Sequence, residues 1–105
     1  MVNNLAAFER KVVFVGGHSD LQAKLKRIFN FTFISTDAMN FSVTKIKNAK
    51  YVLIYTQYIN HPLYYKVMNS LSDKKKLRII RDAHNLEILK KKITESLFDV
   101  YEQVV

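Results

Sequence analysis

Short apolar runs alternate along this chain with longer stretches in which apolar positions recur every three or four residues. Lys11–Val15 is a continuous β-branched and aromatic run, the pattern of a strand buried on both faces. Phe31–Ser35, Tyr51–Thr56 and Leu77–Arg81 repeat it, and YVLIYT at Tyr51–Thr56 is the strongest of the four. After the first strand, Leu21, Leu25, Ile28 and Phe29 fall on one helical face with Lys24, Lys26 and Arg27 outside it. Ser19 is positioned to open that helix, its hydroxyl bonding the Gln22 N–H and the Gln22 side chain reaching back in a capping box. A polar loop, Thr36–Phe41, leads to Ser42, which can cap a short helix bearing Val43 and Ile46. Pro62 fits the first turn of a helix that carries Leu63, Val67, Met68 and Leu71 and ends before Lys74–Lys76. A last helix is predicted from Leu86 to near Gln103, with the stripe Leu86, Leu89, Ile93, Leu97 and Val100 and an i,i+4 pair, Glu87–Lys91.

Strands that alternate with helices predict an α/β fold of three layers (α/β/α) around one four-stranded parallel sheet. The flavodoxin-like strand order 2-1-3-4 fits best. Residues 1–10 read as an N-terminal lead-in whose Leu5 and Phe8 pack on the sheet, and 11–105 as a single domain. At 105 residues, 49% hydrophobic and 25% charged, the chain has the length and composition of one globular domain. The absence of cysteine excludes a disulfide framework, a thiolate metal site and a cysteine nucleophile. No apolar run approaches the roughly 20 residues of a membrane span, and Met1–Arg10 lacks the pattern of a secretory signal. A soluble cytoplasmic protein is the expectation.

Every loop that follows a strand of a parallel sheet emerges at the same edge. Here those loops are Gly16–Ser19, Thr36–Phe41, Gln57–Pro62 and Asp82–Asn85. They hold all three histidines, His18, His61 and His84, and both glycines, with Asp37, Asn40, Asn60, Asp82 and Asn85 beside them. With strand order 2-1-3-4 the winding reverses between the first and third strands, and the crevice at that reversal is the usual ligand site of open α/β sheets. Gly16–His18 and Thr56–His61 are expected to face each other across it. Gly16-Gly17 before a helix suits a phosphate or carboxylate held by backbone N–H groups, but it equally suits a tight turn, and neither a dinucleotide fingerprint nor a P-loop is present. His18, His61 and His84, with Asp37 or Asp82, offer imidazole and carboxylate ligands for a metal, without the close spacing of a dedicated motif. Ser19 and Ser35 lack the nucleophile-elbow pattern, and no residue set specifies a chemical step, so the sequence leans away from an enzyme. Tyr55, Tyr58, Tyr64 and Tyr65 crowd the loop after the third strand, where Tyr58 is the best placed to stack on a flat ligand.

A formal charge of +8 raises the question of a nucleic-acid partner. Arg10, Lys11, Lys50 and Lys74–Lys76 precede strands, which puts them at the edge opposite the histidines. Lys26, Arg27, Lys45 and Lys47 close helices, where cations offset the dipole. A nucleic-acid surface on this lysine-rich edge carries no recognition motif. The last helix offers another kind of partner, since its stripe could pair with that of a second copy in a homodimer. The acidic cluster of a receiver domain and the Ser/Thr-rich phosphate loop of a flavodoxin are both missing after the first strand.

The first strand ending in Gly16-Gly17, the third running into Thr56-Gln57-Tyr58-Ile59-Asn60-His61, the downstream Lys66 and a fourth strand ending in Arg81 together resemble the bacterial domain-of-unknown-function family numbered 2325. The resemblance spans about Lys11 to Leu89. It implies a small flavodoxin-like or Rossmann-like domain of unestablished role, with Gly16, Gly17, His61, Lys66 and Arg81 as site positions. Many members of that family carry a His-Asp-Gly segment after the second strand, where this chain has Ser35-Thr36-Asp37-Ala38, and some carry cysteines that this chain lacks. The expected function is binding of a small anionic ligand, a nucleotide or phosphate-like group, at the crevice. Its contacts would come from Gly16, Gly17, His18, Ser19, Thr56, Tyr58, Asn60, His61, Lys66 and Arg81, with no cofactor specified.

Overall fold

A computed structural model of the chain describes residues 7–35, 43–71, 73–99 and 101. The expectations for Leu5, Asp37, Asn40, Ser42, Val100 and Gln103 lie outside those residues. Four strands, β1 (Val12–Val15), β2 (Thr32–Ile34), β3 (Tyr51–Tyr55) and β4 (Leu77–Ile80), form one parallel sheet in the order β2-β1-β3-β4. Four helices connect or follow them: α1 (Ser19–Lys26), α2 (Val43–Asn48), α3 (His61–Ser70) and α4 (Leu86–Ser96). The three-layer α/β arrangement and the strand order are those predicted from the hydrophobic pattern.

The central strands explain why. All four residues of β1 and residues 52–55 of β3 are buried, so each strand faces apolar layers on both sides. One layer joins Val12, Phe14, Leu53, Tyr55 and Ile80 to Leu25 of α1 and to Leu89, Ile93 and Leu97 at α4. The other joins Val13, Val15, Val52 and Ile54 to Ile46 of α2 and to Leu63 and Val67 of α3. Each fully buried Val, Leu, Ile or Phe stabilises the fold by roughly 1.5–3 kcal/mol relative to exposure. The registers Val15↔Ile34, Val15↔Ile54 and Tyr55↔Ile80 bring the ends of all four strands to one edge.

The lead-in packs as expected where it is described. Phe8 is buried and meets Tyr51 and Tyr101 edge-on, with ring centroids 6.2 and 5.8 Å apart. Glu9, only 7% exposed, accepts hydrogen bonds from the Asn30 N–H at 3.2 Å and from the Tyr101 hydroxyl at 2.8 Å. Partial burial first, then this carboxylate, push the Tyr101 phenol above the usual tyrosine range.

Two local expectations are corrected. His18, not Ser19, occupies the N-cap position of α1, without a side-chain cap hydrogen bond, and Gln22 does not reach back to Ser19. Its side chain lies on the buried face, 4% exposed, and its Nε2 donates to the Gly16 carbonyl at 2.7 Å. The last helix is interrupted where a continuous one was predicted. Leu97 leaves helical geometry (φ −110°, ψ 9°) while its side chain stays in the core, the Ser96 hydroxyl donates to the Ile93 carbonyl, and helical geometry resumes at Phe98, with the Tyr101 N–H on the Leu97 carbonyl at 2.9 Å. Of the predicted stripe, Leu89, Ile93 and Leu97 are buried against the sheet and Leu86 is partly buried beside them.

Candidate functional site

The turn after β1 is fixed from two sides. The Gly16 N–H donates to the Ile34 carbonyl at 2.9 Å, and its own carbonyl accepts from Gln22. Both glycines have positive φ, 111° for Gly16 and 81° for Gly17, conformations that glycine adopts without a Cβ clash. At Gly17 a Cβ would meet Leu21 Cδ2 at 3.1 Å and Tyr55 Cδ2 at 3.8 Å, so the turn is pressed against the floor of the site. Gly16 therefore serves the fold: its N–H, expected to hold an anion, is already bonded to β2.

A cleft of about 350 Å³ opens at the C-terminal edge of the sheet between α1 and α4. Leu21, Tyr55, Leu86 and Leu89 provide apolar surface, and His18, Asp20, Lys24, His84 and Asn85 provide polar groups. Tyr55 ends β3, is 2% exposed and donates its hydroxyl to the Ala83 carbonyl, leaving its ring as lining.

A side-chain network shapes the opposite wall. Residues Thr56–Tyr58 turn once as a 3-10 helix directly after β3. The Thr56 hydroxyl donates to the Ile80 carbonyl at 3.2 Å. Gln57 accepts the Ala83 N–H on Oε1 at 2.7 Å and donates from Nε2 to Nδ1 of His84 at 3.1 Å. Because a carboxamide Nε2 can only donate, this contact makes Nδ1 of His84 an acceptor and leaves Nε2 as the protonated ring nitrogen. The loop so held contains Asp82 at φ 55°, a left-handed conformation uncommon outside glycine and asparagine. Asn85 closes the loop, its side chain accepting the Ile88 N–H at 2.9 Å as the cap of α4.

The sequence-derived site residues divide into three groups. His18 and His84 line the cleft, with Gly17 against Tyr55 beside it; Ser19 is exposed in the first turn of α1. Thr56 supports the wall from behind. His61, Lys66 and Arg81 are not among the lining residues. The chain crosses after the 3-10 turn to the other face of the sheet, taking His61 and Lys66 with α3, where the His61 ring lies 6.4 Å from that of Tyr65. Arg81 lines a separate groove beside β4 with Lys92 and Glu95. Asn60 caps α3, accepting the Leu63 N–H at 2.8 Å. The side chain of Tyr58 lies outside the description.

The element facing Gly16–His18 across the cleft is thus the loop after β4, with the expected partner, Thr56–His61, contributing its first two residues as support. The three histidines do not meet: among the described residues no group of three or more His, Cys, Asp or Glu side chains is arranged to hold a metal ion. The pattern reading passed over Gln57, Asp20 and Lys24 as site residues. Lys24 alone carried a signal, since it lies one turn beyond Asp20 on the helix that opens at the Gly-Gly turn.

Among the described residues no helix is long and apolar enough to cross a membrane. Comparison with known proteins finds no family model, no curated protein and no solved structure that matches the chain. The resemblance to the family numbered 2325 accordingly rests on the two motif segments that suggested it.

Proposed function

We propose that this domain binds one small anionic ligand in the cleft between α1 and α4, a molecule with a flat apolar body and a single acidic group, of which a nucleoside monophosphate is the model. The observation that carries this reading is the composition of the cleft at the C-terminal edge of a parallel sheet. Leu21 and Leu86, half-buried over Tyr55 and Leu89, offer surface to a ring, while His18, Lys24 and His84 offer donors to an anion. A volume of about 350 Å³ is near the lower end for ligand pockets, enough for a mononucleotide-sized molecule rather than a dinucleotide.

The test is a thermal-shift screen of nucleoside monophosphates, free nucleobases and inorganic phosphate on the intact chain and on Lys24→Ala, His84→Ala and His61→Ala. A ligand at ten times its Kd stabilises by about 1.4 kcal/mol, a rise of roughly 5 °C or more in a domain this size. The rise should shrink in Lys24→Ala and His84→Ala and persist in His61→Ala. No rise with any compound, or equal loss in His61→Ala, would reject the cleft as the site.

A further inference from the structure

The cations of this chain are not spread evenly. Arg10 and Lys11 precede β1, Lys50 precedes β3, the run Lys74–Lys76 precedes β4, and Lys45 and Lys47 close α2, so all belong to the N-terminal edge of the sheet. Helix dipoles account for Lys45 and Lys47 alone. The acids nearby are already engaged: Asp73 accepts the Lys75 N–H at 2.9 Å, and Glu9 is buried against Asn30 and Tyr101. Among the described residues the one salt bridge joins Arg78 to Asp99, so none of these edge cations is ion-paired there. Gathering like charges without partners opposes folding. The excess therefore asks for a use outside the fold.

The edge is also concave. A groove of about 360 Å³ opens between the start of β1, the start of β2 and α2, where Arg10, Lys11, Lys45, Thr32, Thr44 and Asn48 stand around Val13 and Ala49. Three cations surround hydroxyl and carboxamide groups, the combination that holds phosphate oxygens. We infer that this edge docks the phosphate backbone of a nucleic acid, with one phosphate seated in the groove and its neighbours along the strand meeting Lys47, Lys50 and Lys74–Lys76. The spread of cations matches a ligand with repeated charges, and a concave groove admits a strand more readily than the plane of a bilayer. The lining offers no stacking aromatic, so contact is to the backbone and independent of base sequence. This surface lies at the opposite edge from the ligand cleft and does not depend on it.

Fluorescence anisotropy with labelled single-stranded and duplex oligonucleotides of about 20 nucleotides, titrated from about 50 to about 200 mM salt, tests the inference. Engagement of about three to six phosphates gives a log–log salt slope of roughly −2 to −4 on single strands. Arg10→Ala with Lys45→Ala should weaken binding and reduce the slope by about 1.4, while Lys90→Ala with Lys91→Ala on α4 removes the same charge and leaves the slope unchanged. His84→Ala should bind nucleic acid like the parent, which separates this surface from the cleft. Far-UV circular dichroism verifies that each variant is folded; Arg10 and Lys45 are exposed, so their truncation leaves the core intact. Absence of binding at the lowest salt, equal losses in the α4 pair, or tighter binding to phosphatidylserine vesicles than to oligonucleotide would each overturn it.

Discussion

Gln57 is the side chain on which the cleft most depends, and its truncation tests that dependence. In Gln57→Ala the Ala83 N–H loses its acceptor at 2.7 Å and His84 Nδ1 loses its donor at 3.1 Å. Ala83 is fully buried, so its amide gains no ready substitute from water. Leaving such a donor unsatisfied costs about 1–3 kcal/mol, and the exposed contact to His84 adds a few tenths. A loss near 2 kcal/mol is expected, about 8 °C or more in the melting temperature of a domain this size. Relaxation of the loop could lower that figure, because Asp82 would be free to leave its left-handed conformation. The Tyr55 hydroxyl on the Ala83 carbonyl would then be the main tether, and His84 would move. The assay accordingly needs two readouts: urea unfolding for stability, and ring nitrogen–proton correlation spectra for the His84 tautomer, which should lose its fixed Nε2–H pattern. Gln57→Glu keeps the acceptor for Ala83 and removes only the donor, so it should retain most of the stability while altering the His84 signals. A Gln57→Ala protein within about 0.5 kcal/mol of the parent, with His84 resonances unchanged, would refute the reasoning.

Two further substitutions probe the fold around the site. Gly17→Ala should cost about 1–2 kcal/mol in urea unfolding, since it forces a Cβ into φ 81° and to within 3.1 Å of Leu21, whose flexible end can yield only in part. Tyr101→Phe removes the hydrogen bond to buried Glu9 and should cost about 1.5 kcal/mol at neutral pH. Because the folded state holds the Tyr101 proton more tightly than the unfolded chain, that advantage is complete below the ordinary tyrosine value of 10.0. It then falls as pH rises, by at most about 1.4 kcal/mol per pH unit for this partly buried ring, so parent and variant should converge in alkaline urea titrations.

The strands were legible because each is a short continuous run: β1 and β3 lie between two apolar layers, and double burial leaves an unbroken hydrophobic signature. The caps at Asn60 and Asn85 were legible for a local reason, since an Asx side-chain oxygen and the N–H it accepts lie three positions apart. Gln22 misled for the same reason. Its spacing from Ser19 fits a capping box, but its place three residues before Leu25 sets it on the buried face, where the Gly16 carbonyl is its partner. Gln57 had no local signal, because its contacts lie 26 and 27 residues downstream. His61 was assigned to the correct edge of the sheet but not to its face. Edge follows from strand direction alone, whereas face depends on which side the next helix packs, and α3 packs opposite α1 and α4.

On the two proposals the edges of the sheet would reach anions by different means, and the Gly-Gly turn bears on the difference. In a phosphate-binding loop the backbone N–H groups after the first strand converge on the ligand. Here the Gly16 peptide is bonded on its N–H side to Ile34 and on its carbonyl side to Gln22, which makes the turn a rigid wall. Asp20 also stands in the first turn of α1, where a carboxylate already offsets the dipole that would attract an anion. The side chains that line the cleft and can meet a ligand's charge are Lys24 and the two imidazoles, beside an apolar floor. Such a cleft selects by fit to the floor first and by charge second, so a molecule with one acidic group suits it better than a polyphosphate. The opposite edge carries more cations, and its groove is lined by Arg10, Lys11 and Lys45 together with Val13 and Ala49. On the two proposals the ligand cleft and the cationic surface lie at opposite ends of one sheet, so occupancy of one need not exclude the other.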